Sequence, residues 1–150
     1  MALSLSPNAA EWRLCLILAL MRKGEPAAVL AEGQSRPAAL DRDFALVVAN
    51  HALGKQAESD QALAEMISRF GNTQAFNIAV ALAMCGETDR AFEWLERAVA
   101  QGDVWLAVLN SNMGLTKLHD DPRWRPLLRK INMDQDHLAA IRFDVQLPGN

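Results

Sequence analysis

The chain has 150 residues, of which 22% are charged and 51% belong to the hydrophobic set, with mean hydropathy near zero, the balance of one globular domain rather than a disordered chain or a set of membrane spans. A domain of this length buries roughly 70% of the surface its unfolded chain exposes, so it needs no metal or disulfide staple. A net charge of -3 and a pI near 5.6 count against a nucleic-acid partner, whose binding surface is normally strongly basic.

Alanine (25 residues) and leucine (21) greatly outnumber valine, isoleucine and threonine (8, 5 and 3), so residues favouring helices dominate those favouring strands and the fold class is all-α. The first predicted helix, 8–23, contains the longest apolar run, residues 14–21, bracketed by Arg13 and Arg22. That run is far short of the roughly 20 residues needed to cross a bilayer. Glu11 before it and the pair Arg22 and Lys23 after it reverse the charge order of a signal peptide. No membrane partner and a cytoplasmic location are therefore expected. Cys15 and Cys85 lie inside apolar stretches, too few for a disulfide framework, and are read as reduced core residues.

Gly24, Gly54 and Gly86 each end an apolar helical run, at spacings of 30 and 32 residues, and a second, alanine-rich helix restarts directly after each. Glycine ends helices because it adopts the left-handed conformation freely. The pattern predicts three helical hairpins, with helices at 8–23, 26–35, 38–53, 56–70, 73–85 and 88–101. In the third, Ala79, Ala91 and Ala98 would sit at helix crossings with Trp94 and Leu95 beside them. Ala79, Leu82, Gly86, Ala91, Leu95 and Ala98 resemble the small and large positions of the tetratricopeptide repeat family. The resemblance implies an α–α superhelix, a helical-hairpin solenoid with repeats at about 8–36, 41–71 and 72–103 and a capping region at 104–150. It implies a protein or peptide partner held in a concave groove lined by the first helix of each hairpin: Leu14, Leu18, Phe44, Val48, His51, Phe76, Val80 and Met84. Of the lysine, arginine and asparagine with which such families hold an acidic peptide carboxylate, only Asn50 and Asn77 are available on that face, so a chaperone-tail clamp is not expected and the groove is expected to be apolar and to need a cover.

Beyond Gly102, Val104 to Leu106 and Met113 to Leu115 read as short turns. Asp121 and Pro122 read as a helix start, with an acidic cap and a proline at the first helical position of a capping helix reaching about Asn132. Arg123, Arg125, Arg129 and Lys130 would give that cap a polar outer face. The stretch from Leu118 to Lys130 is similar to the ending of bacterial tetratricopeptide proteins whose repeats follow an output domain, and Ser6, Pro7 and Asn8 look like the loop closing a preceding repeat. The chain is thus read as the sensor or scaffold part of a larger bacterial protein. Ile141, Phe143, Val145 and Leu147 alternate with polar residues, which predicts an extended tail packing back on the repeats.

Chemistry is sparse. No glycine cluster follows a strand, so no phosphate or dinucleotide loop is available. His51, His119 and His137 have no ligand neighbours at metal-binding spacing. His119 beside Asp120 and Asp121 reads as a solvated helix N-terminus. Neither cysteine has a base or cation nearby. Trp12, Trp94, Trp105 and Trp124 read as core. No catalytic residue, metal or cofactor is expected, and the function predicted is a non-enzymatic interaction scaffold taking an apolar segment in its groove. The alternative is a homo-oligomerisation domain, a homodimer formed through the apolar first helix.

Overall fold

The long helices of a computed structural model, which describes residues 10–35 and 39–142, fall within the six predicted intervals. They are α1 (Ala10–Arg22), α2 (Pro26–Gln34), α3 (Leu40–Ala52), α4 (Gln56–Phe70), α5 (Ala75–Met84) and α6 (Thr88–Gln101). No strand occurs among the described residues. The turns inside the three pairs share one hydrogen-bond pattern. The amides of Glu25, Lys55 and Glu87 donate to the carbonyls of Leu20, Asn50 and Leu82, and the preceding glycine donates three residues back. This double closure satisfies carbonyls that the helix end leaves free. At Gly86, φ is 80°, while an added Cβ would meet nothing within 4 Å. The sign of φ, and not lack of room, therefore selects glycine there.

Packing follows the pairs. α3 lies along α4 and α5 along α6, but α2 packs more extensively on α3 than on α1. Gly33 permits this approach, because a Cβ there would stand 3.1 Å from Ala45 Cβ and 3.3 Å from Leu46 Cδ2. Phe44, Met66, Phe76, Ile78, Leu82 and Leu95 fill the centre. Ser59 Oγ, buried on α4, donates to the Val47 carbonyl at 2.9 Å. Ala79, Ala91 and Ala98 are all fully enclosed. Replacing Ala79 by leucine is expected to overpack this interior and cost about 1–3 kcal/mol, measurable as a lower urea midpoint at unchanged slope.

The chain beyond Gly102 departs from the expected turns. Val104–Ser111 and Met113–Leu118 form two 3-10 helices, η1 and η2. Leu106, Leu109, Leu115 and Leu118 are buried from them, at the spacing of three that eclipses on this tighter helix. The capping helix, α7 (Trp124–Lys130), starts two residues later than predicted. Pro122 lies in the preceding turn, closed by the Trp124 amide on the Asp121 carbonyl at 3.0 Å, and the Asp121 carboxylate accepts from the Arg123 amide. α7 ends at Lys130, where Asn132 takes the left-handed role, with φ 57°, that glycine has elsewhere.

The cap's cations do not simply face water. Arg123 pairs with Asp89 and stacks on Phe92, and Lys130 pairs with Glu96, so they strap α7 to α6. A last helix, α8 (Gln135–Ala140), has no buried residue. It is capped by Asp134, whose carboxylate accepts from the His137 amide and bonds the His137 ring and Arg129. The tail expected to pack back on the hairpins lies, from Phe143 onward, outside the described residues.

Candidate functional site: an apolar cleft

A cleft of about 220 Å³ runs between α1 and η1. Leu14, Cys15 and Leu18 form its α1 wall, Phe44, Phe76, Asn77 and Val80 its floor, and Trp105, Val108, Ser111, Asn112 and Met113 the opposite wall. Leu18 and Met113 also border a second cavity of about 240 Å³, which continues past Met21, Met84 and Gly114 to Arg22 and Lys117.

Five of the eight predicted groove residues, Leu14, Leu18, Phe44, Phe76 and Val80, therefore share the first cavity, and Met84 lies in the second. Val48 and His51 border neither. Val48 is buried in the interior, and His51 is half-buried with its Nδ1 enclosed and unpartnered. The expected broad groove is narrow because η2 lies on α5. At the closest point, Gly114, an added Cβ would stand 2.6 Å from Val80 Cγ1 and 3.3 Å from Met84 Sδ.

Asp103 holds the η1 wall in place. One of its carboxylate oxygens accepts from the Phe76 amide at the start of α5 (3.1 Å), the other from the Trp105 amide (3.0 Å). On the rim, Val108 and Met113 are 38% and 44% exposed. Among polar groups at the site, Asn77 is buried and its Nδ2 donates to Gln74 Oε1.

Two sequence readings need correction. Cys15 is exposed rather than a core residue, because it lies on the side of α1 that borders the open cleft. Trp105 is a half-buried wall of the cleft and not simply core. Trp124 is buried, while Trp94 is half-buried under Arg97. Trp12 lies outside the described side chains.

The groups with shifted titration stand apart from the cleft. Burial pushes the Cys85 thiol up to about 12, which leaves no thiolate near neutral pH. The hydrogen bonds from Arg123 hold Asp121 down to about 2, and those from His137 lower Asp134. His119 stacks on Trp124 with centroids 4.5 Å apart. No group of three metal-ligating side chains occurs among the described residues. No helix among them is long and apolar enough to cross a membrane.

The most deeply enclosed carboxylate among the described residues is Asp43 on α3, paired with Arg42 and Arg69 and only 1% exposed in its side chain. Nothing in the sequence pattern singled it out, since Asp41 and Asp43 together in a first helical turn read as dipole partners.

No protein-family model matches the chain, and no curated protein or solved structure is significantly similar to it.

Proposed function

We propose that the chain is a non-catalytic interaction module of tetratricopeptide type that takes an apolar peptide segment in the cleft between α1 and η1. The supporting observation is the convergence of Leu14, Leu18, Phe44, Phe76 and Val80 on one concave surface with an exposed apolar rim at Val108 and Met113. A concave apolar site with a few polar groups is the usual form of a binding pocket. An NMR titration with a short synthetic leucine–serine peptide should shift the Leu14, Leu18, Trp105 and Val108 amides. Val108→Glu, which sets an unpaired charge on the contact, should weaken binding about tenfold without changing the melting temperature. Shifts confined to another face, or none, would remove this reading.

A second reading is favoured by the state of α1. Ile17 is its one fully covered apolar side chain among those described, Leu14, Leu16, Leu18 and Leu20 are half-buried, and Cys15 and Ala19 are exposed. A second copy covering that face would make a homodimer. Sedimentation equilibrium of the full chain and of Ala19→Arg separates the two, because only the dimer reading requires a mass that the substitution halves.

A further inference from the structure

The two cavities form one path, since Leu18 and Met113 border both. The path is apolar for most of its length and ends between two cations, Arg22 and Lys117. Among the described residues no aspartate or glutamate lines either cavity.

Among the described residues some cations are ion-paired, as Arg69 with Asp43, Arg90 with Glu87, Arg123 with Asp89 and Lys130 with Glu96, and others, such as Lys55 and Arg125, are not; Arg22 and Lys117 are set apart by both lining the cavity. Among the described residues Arg22 makes no ion pair and bonds the Met113 sulfur at 3.4 Å, a weak acceptor. Lys117 makes no ion pair among the described residues. In a chain of net charge -3, two unpaired cations at the end of an apolar cleft set up a local potential opposite to that of the whole.

We infer that the partner is a peptide whose apolar side chains sit against Leu14, Phe76 and Val80 and whose accompanying carboxylate is received by Arg22 and Lys117. This rests on the peptide-binding reading above and adds the chemistry of the partner. The apolar contacts supply the affinity, and the cations supply direction, because a peptide lying the other way would place its acid against Leu14 and leave both cations bare. Exposed charge pairs contribute little each, so removing both cations should weaken binding by about fivefold, and added salt should erase that difference.

Selection from a phage-displayed library of random peptides tests both levels. The full chain should enrich apolar residues with an aspartate or glutamate at constant spacing. The Arg22→Gln, Lys117→Gln variant, altered only at exposed positions, should keep the apolar preference and lose the acidic one. A peptide taken from the first selection should bind that variant about fivefold more weakly at low salt. Apolar enrichment with no acidic position, or the same acidic preference in the variant, overturns this inference and leaves the peptide-binding reading standing. No enrichment at all overturns both. Enrichment only after removal of residues 143–150 makes the chain's own end the occupant, and no enrichment by a chain that sediments as a dimer makes it a second copy; either result also overturns the inference.

Discussion

Replacing Gly114 by alanine is expected to cost about 2–3 kcal/mol, near the upper end for overpacking, although the change adds only one methyl group. The new Cβ would lie 2.6 Å from Val80 Cγ1, and neither partner has room to retreat. Val80 is buried and β-branched, hence stiff at χ1. The Gly114 amide is fastened by the Asn112 side chain at 2.9 Å. The substitution should therefore lift η2 from α5 and widen the cleft. A double-mutant cycle with Val80→Ala checks the cause, since removing the opposed methyl should recover at least about 1 kcal/mol of the loss. Additive losses would place the strain elsewhere.

The second large effect concerns Asp43. Burial raises its pKa above the ordinary 3.8, and the attraction of Arg69 and then Arg42 only partly offsets this. Removing Arg69, which lies 3.0 Å from Asp43 Oδ2, leaves a nearly enclosed carboxylate with one flanking arginine. Arg69→Ala should then cost about 3 kcal/mol at neutral pH, at the low end for breaking a buried pair because Arg69 itself is partly in water. Asp43→Asn keeps the shape and an acceptor while removing the charge, and should change stability by under about 1 kcal/mol. The two should differ in their pH dependence. A carboxyl whose native pKa is raised favours folding fully at pH values below its unfolded pKa, and that contribution is lost as pH rises through the native pKa. In the parent, stability should fall for this reason from pH 3.8 upward. In Asp43→Asn that component should be missing, as urea midpoints measured across the acid range would reveal.

The helix boundaries were legible because glycine ends a helix through a local rule that needs no knowledge of the rest of the fold. Gly54 and Gly86 carry that signal in the residues beside them. η1 and η2 were not legible as helices, since Val104 to Leu118 follows neither the 3.6 nor the 2 period. The spacing of three between Leu106 and Leu109, and between Leu115 and Leu118, was the available sign. The cleft was half legible. Its floor follows from the faces of α3 and α5. Its second wall depends on the Asp103 carboxylate reaching the Phe76 amide across 27 positions, a pairing with no sequence period to announce it. Gly33 was missed for a similar reason, since its value lies in the approach of α3 and not in its own turn.

Because one carboxylate serves both the start of α5 and the start of η1, the η1 wall is riveted to the third hairpin and cannot yield without dragging it. The opposite wall, α1, is held by Ile17 and by Arg13, which is buried beside Asp41 of α3 at 3.9 Å. A group too bulky for the cleft is expected to displace α1 rather than η1, since η1 moves only with α5, and hydrogen exchange of the Leu14 and Trp105 amides in a Val80→Phe variant would report which wall gives way.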